Sequence, residues 1–171
     1  LVSEKKSKIP SQIAIDVSRF FPEAVMSLHK KIALIQTRSS IYVDAQHGLG
    51  NRLRAIASAA VIAENTDREL RVIWRADEHC DCDFADLFIP DVEIINEAFD
   101  LRSLSKDNIY NYMDNEEGAE KDKLIRTEGD FDIYVKSAFV LNSPFKNWEK
   151  ENTFLKSLQL HSDVNSLVNT L

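Results

Sequence analysis

Ile41-Tyr42-Val43-Asp44-Ala45-Gln46-His47-Gly48-Leu49-Gly50-Asn51-Arg52-Leu53-Arg54 decides the fold. A β-branched, apolar run passes through two glycines into an alanine-rich run. Strand, glycine loop and helix form the arrangement in which backbone N–H groups at a helix start hold an anion. With the helix read from Asn51, Arg52 and Arg54 fall in its first turn. There the positive end of the macrodipole disfavours a cation by about 0.3–1 kcal/mol. Positive charge at that place implies a negative partner.

Working outward, the helix runs from about Asn51 to Asn65. Between Leu53 and Ala63 every residue but Arg54 and Ser58 is apolar. A helix apolar nearly all round is buried on most sides, and its alanines permit close approach to a sheet. Leu70-Arg71-Val72-Ile73-Trp74 reads as the next strand, at a spacing that suits a right-handed βαβ crossover. The acidic loop Asp77-Glu78-His79-Cys80-Asp81-Cys82-Asp83 follows. Phe84 to Phe88 reads as one helical turn ended by Pro90, and Val92 to Ile95 as a short strand. The polar stretch 100–122 is read with a helix near Asn108–Met113 and a surface loop. Phe131 to Leu141 is strand-like. A helix is expected from Ser143 to about Leu158, with Trp148 as a packing residue, and a last one from Ser162 or Asp163. Upstream, Val25, Leu28, Ile32 and Ile35 recur at helical spacing behind Pro22. Leu1 to Pro10 is polar and Lys-rich and reads as a flexible arm. Alternating strands and helices predict an α/β, Rossmann-like three-layer domain with a mostly parallel sheet over residues 11–171.

Composition narrows the function. The 171 residues suffice for one domain with a core. A net charge of −7 argues against a nucleic-acid surface, which needs clustered Lys and Arg. No apolar run reaches the roughly 20 residues that span a bilayer, and no signal-peptide core is present. The chain opens on Leu1, not Met, and so reads as a fragment that a leader or membrane anchor could precede. The two cysteines, Cys80 and Cys82, make no disulfide framework, and the compartment stays open. His79, Cys80, Cys82 and Asp83 lack the second cysteine pair of a typical zinc site, so no metal is expected. Cys80 reads as a small buried residue.

Three phosphate-loop readings can be tested. Walker A requires Gly-Lys-Ser/Thr where this chain has Gly50-Asn51-Arg52, and fails. A dinucleotide fingerprint needs a third glycine where Leu53 stands, and a carboxylate after the second strand where Trp74-Arg75 stand. The third reading is a sugar-nucleotide or other anion site. His47, Gly48, Leu49, Gly50, Asn51 and Arg52 would line it. The glycines would allow close backbone approach, Asn51 would cap the helix or bind a ligand hydroxyl, and Arg52 would pair with phosphate as a fork. The competing reading is a tight turn with solvated or carboxylate-paired arginines.

Gly48-Leu49-Gly50-Asn51-Arg52, the alanine-rich helix and Arg68-Glu69-Leu70-Arg71-Val72-Ile73-Trp74 together resemble the opening βαβ unit of the fucosyltransferase superfamily, the α1,2-, α1,6- and protein O-fucosyltransferases. Cys80, Phe84, Leu87 and Phe88 extend the resemblance, which covers residues 47–88. It implies a GT-B enzyme, in which two Rossmann-like domains face a cleft. The first domain lines the cleft on the acceptor side. The second holds most of the GDP-fucose and carries a His-x-Arg whose arginine neutralises the pyrophosphate. None of the four histidines here is followed by x-Arg. The resemblance therefore implies the N-terminal half of a glycosyltransferase, inactive alone, with the second domain missing. GDP-fucose would be the donor substrate, a glycan or protein hydroxyl the acceptor, and neither metal nor cofactor would be needed. The alternative is a non-catalytic anion- or carbohydrate-binding module. An inverting displacement needs a base for the acceptor hydroxyl and positive charge at the leaving diphosphate. Asp77 and Glu78, after the second strand, are the candidate bases. They read more readily as solvated loop acids.

Overall fold

Residues 38–168 are described by the computed structural model, and a five-stranded sheet organises them. The arm at 1–10 and the helix expected over 22–35 lie outside the described residues. In chain order the elements are β1 (Ser40–Ala45), α1 (Leu49–Thr66), β2 (Glu69–Ile73), α2 (Phe84–Leu87), β3 (Phe88–Ile89), β4 (Glu93–Ile95), β5 (Ile109–Asn111), β6 (Ile133–Ser137), α3 (Trp148–Ser157), β7 (Gln159–Leu160) and α4 (Ser162–Val168). The sheet order is β4-β2-β1-β6-β5, and every neighbouring pair is parallel. The Rossmann-like α/β class expected from the sequence therefore holds. Strands β3 and β7 form a separate antiparallel pair.

Register explains the core. Ile41 and Val43 of β1 lie level with Ile133 and Val135 of β6, and Val43 also with Val72 of β2. These side chains share one buried cluster with Ala55, Ile56, Ala59 and Ile62 of α1. Ile56 and Ile62 are almost fully buried, each contributing about 1.5–3 kcal/mol by leaving water. Helix α3 packs on α1 in turn, so α1 is covered on most sides as its composition requires. Among the described residues no helix is long and apolar enough to cross a membrane. Strand alternation sends Tyr42 and Tyr134 to the other face. There Phe99 stacks on Tyr134 at 5.7 Å and touches Tyr42 at 4.3 Å.

Four expectations are corrected. The helix near Asn108–Met113 is a 3-10 turn, Lys106–Asn108, running into strand β5. Tyr110 is buried in β5, level with Val135, and that pairing outweighs weak helical spacing. Helix α3 starts at Trp148, not at Ser143, because the Asn147 side chain caps it by accepting from Lys150 N at 3.0 Å. Trp148, at the first helical position, is 66% exposed and packs into no core. Helix α1 begins two residues before Asn51, with Gly48 as its N-cap, so Asn51 is not the cap and Arg52 lies beyond the first three positions.

Trp74, Phe84 and Phe88 are core residues, with Trp74 and Phe84 edge to face at 5.4 Å. Buried Arg68 donates to the carbonyls of Thr127, Gly129 and Phe131 and so ties a distant loop to the start of β2.

Candidate functional site

The glycine loop leaves the carboxyl end of β1, beside β6. Successive connections run from β1 to β2 to β4 on one side, and β6 and β5 fill the other. This reversal is the topological switch point, outside which open α/β sheets hold ligands. Gln46 N donates to Ser137 O at 2.9 Å and holds the start of the loop against β6.

His47 then turns left-handed, with φ 63°, a conformation unfavourable for a residue with a Cβ. Its carbonyl accepts from Arg52 Nε at 2.6 Å, which fixes the turn. Gly48 O accepts the amides of Asn51 and Arg52 at 2.9 and 3.1 Å. No side chain caps the helix, and no acidic residue sits in its first turn. The amides of Leu49 and Gly50 thus open α1 at the positive end of its dipole. Leu49 and Gly50 are exposed, while His47, Gly48 and Asn51 are half-buried.

Neither glycine is required by this geometry. Gly48 has φ −68°, and a Cβ there would meet its nearest neighbour, His79 O, at an ordinary 3.6 Å. A Cβ at Gly50 would meet nothing within 4 Å. A helical glycine costs about 0.5–1 kcal/mol relative to alanine.

Arg52 points away from the mouth. It is fully buried, lies over the Trp74 ring at 4.6 Å, donates from Nη1 to Arg75 O at 2.7 Å, and pairs through Nη2 with Asp77 Oδ2 at 2.7 Å. One guanidinium therefore clamps the loop after β1 to the loop after β2. Of the two competing readings of this arginine, carboxylate pairing is the one found.

Asp77 also accepts from the backbone N–H groups of His79 and Cys80, at 2.9 and 3.0 Å. Burial pushes its pKa up, but those N–H groups and Arg52 outweigh burial and hold it below the usual carboxylate range. Such a carboxylate organises a turn and accepts a proton poorly. Glu78 is 86% exposed, with His79 Nε2 at 3.6 Å. The His79 ring lies 5.2 Å from that of His47, so the two loops meet at the mouth.

A second set of groups escaped the sequence reading. Asp44, buried near the end of β1, accepts from Tyr134 Oη at 2.7 Å, from Gln46 Nε2, and from Arg75 Nη2 at 2.7 Å. Its signal was a carboxylate inside an apolar strand, just before a glycine loop. On β6, Lys136 is level with Asp44 and donates to both oxygens of Glu116, at 2.6 and 2.8 Å. The Lys136 ammonium leads the causes that hold the Glu116 carboxyl below its usual range.

Cys80 is buried as read, with its sulfur 3.6 Å from that of Cys82, and both thiols are free. Among the described residues no three His, Cys, Asp or Glu side chains are placed to hold a metal ion. An apolar groove of about 280 Å³ between α1 and α3, lined by Ala60, Val61 and Phe154 and bordered by the Glu64–Lys150 ion pair, holds none of the groups considered above. Comparison of the chain with protein-family models, characterised proteins and solved structures finds no match.

Proposed function

We propose that this chain is the acceptor-side, cleft-lining N-terminal domain of a glycosyltransferase that moves fucose from GDP-fucose to a glycan or protein hydroxyl, with inversion and without a metal. The observation that carries the reading is the pair Gly48 and Gly50. They open an uncapped helix at the switch point, in ordinary conformations and with room for a Cβ. The fold gains nothing from them, so the reading assigns them to close approach by a ligand. The resembling residues 47–88 support it, since they supply β1's exit loop, α1, β2 and the loop after β2.

On this reading the Leu49 and Gly50 amides and the half-buried Asn51 face the donor, and Arg52 shapes the loop from beneath. The acceptor's proton goes to Glu78, because Asp77 is engaged by Arg52 and two amides. Most donor contacts, among them those of a His-x-Arg arginine, come from a second domain. The isolated chain therefore binds weakly and transfers nothing.

Titration with GDP and GDP-fucose, followed by amide shifts, tests this. Weak binding is expected, with the largest shifts at residues 48–51 and at least a tenfold loss in Gly50→Val. Absence of binding to either compound, or binding untouched by Gly50→Val, would sink the reading. One observation favours the non-catalytic module instead, namely the engagement of Asp77. Binding of a free glycan with no response to GDP would select that alternative.

A further inference from the structure

We propose that Arg75 is the anion-binding side chain of this domain and that it takes the diphosphate of the nucleotide sugar; the identity of the ligand rests on the function proposed above, whereas the site rests on its own geometry. Arg75 follows β2 at the carboxyl edge of the sheet, beside β1 and the switch point. It is fixed at both ends. Its carbonyl accepts from the buried Arg52 at 2.7 Å, and its Nη2 reaches Asp44 at 2.7 Å. Its side chain is still 44% exposed, whereas that of Asp44 is 4% exposed.

The carboxylate that holds Arg75 is itself held. Tyr134 Oη donates to Asp44 at 2.7 Å, and Gln46 Nε2 donates as well. Burial first, and then Asp44, push the Tyr134 pKa far up, so its hydroxyl keeps its proton and remains a donor. The Tyr134 ring is stacked on Phe99, with 10° between planes. The bond to so firmly held a carboxylate narrows the rotamers open to the guanidinium.

A surface ion pair returns little stability for ordering a long side chain, and burying a carboxylate is costly. What the arrangement achieves is direction. A guanidinium carries five N–H donors in a planar fork suited to two phosphate oxygens. Its bond to Asp44 leaves donors to spare at the exposed end. A pre-oriented fork needs no reorganisation when charge arrives. Two neighbouring basic groups are spent, Arg52 in its buried clamp and Lys136 on Glu116. Because Asp44 balances the charge of Arg75, selection works through directed donors more than through net potential.

The experiment titrates the 171-residue chain with inorganic pyrophosphate and separately with GDP-fucose, by calorimetry and amide shifts. The variants are Arg75→Ala, Arg75→Lys, the charge-neutral double variant Asp44→Asn/Arg75→Gln, and Arg102→Ala as an exposed control. Circular dichroism and urea midpoints identify variants that fold, and the conclusion is read from those. Pyrophosphate binding at least tenfold weaker in the Arg75 variants, and unchanged in Arg102→Ala, supports the proposal. Equal binding across all folded variants overturns it. GDP-fucose binding that pyrophosphate cannot displace also overturns it while sparing the proposed function. Arg75-dependent pyrophosphate binding with no affinity for GDP-fucose keeps the anion site and removes the sugar-nucleotide reading. No binding of either compound overturns both.

Discussion

Arg52 shows how one residue can look like a ligand in a sequence and serve as a fastener in a fold. Its two carbonyl acceptors lie on different loops, and its ion-pair partner Asp77 lies on the second of them. Arg52→Met would leave both carbonyls without this donor and Asp77 without its cation. Loss of one partner of a buried pair costs about 3–5 kcal/mol, and a loss near the lower end is expected here because Asp77 reaches solvent. Urea denaturation measures it, and a change below about 1 kcal/mol would contradict the clamp. Asp77 makes a second prediction. Its folded pKa lies below the unfolded one, so its contribution is complete above about pH 4 and is lost as pH falls through the folded value. The urea midpoint should fall on acidification below pH 4, with a shallower slope in Asp77→Asn. Cys82 moves the opposite way. Burial, with the neighbouring Cys80 thiol, pushes it up to about 11. Alkylation of native chain at pH 8 should therefore be slow and should accelerate on unfolding. The sequence showed that these residue types were present. It could not show which way Arg52 pointed, because two of its three partners, Arg75 O and Asp77, arrive only with the return of the chain after β2.

At the scale of elements, α1 carries the sharpest test. Gly50 has space for a methyl group and no left-handed φ. Gly50→Ala should therefore stabilise the chain by about 0.5–1 kcal/mol, seen as a higher urea midpoint. On the proposed function the same change weakens ligand binding. A stabilised variant with undiminished binding would separate the glycine from the ligand. Elements with strong local signals were legible: β1, α1 and β2 stand within two residues of their reading because apolar period and glycine punctuation agree there. The stretch around Asn108–Met113 was misread because three strand residues carry too little periodicity. Tyr110 becomes a core residue only through β6. The start of α3 depended on Asn147 prevailing over Ser143-Pro144, a choice between two plausible caps.

For the whole molecule, class was readable and order was not. Alternation of strands and helices announces a parallel sheet, but nothing local says that β6 enters between β1 and β5. That placement makes the switch point, and it brings Tyr134 beneath Asp44 and Lys136 beside it. The site's second half, the Asp44–Arg75 pair, was hidden as well, since Asp44 lies on β1, Arg75 follows β2, and the Tyr134 that also holds Asp44 comes from β6. Amide exchange should be slowest in β1, β2 and β6, each flanked on both sides, and faster in the three-residue edge strands β4 and β5. Uniform protection across all five strands would argue against that hierarchy.

The insertion of β6 has a consequence for birth of the chain as well as for its finished form. On a ribosome β1 and α1 emerge early and β2 can pair with them at once. The other edge of β1 waits for residues 133–137. At ordinary synthesis rates that wait lasts on the order of ten seconds. Through it β1, buried at five of its six positions in the finished fold, offers an unpaired edge to any neighbour. A chain stopped at residue 130 should therefore aggregate in light scattering, and one carried past residue 141 should stay dispersed.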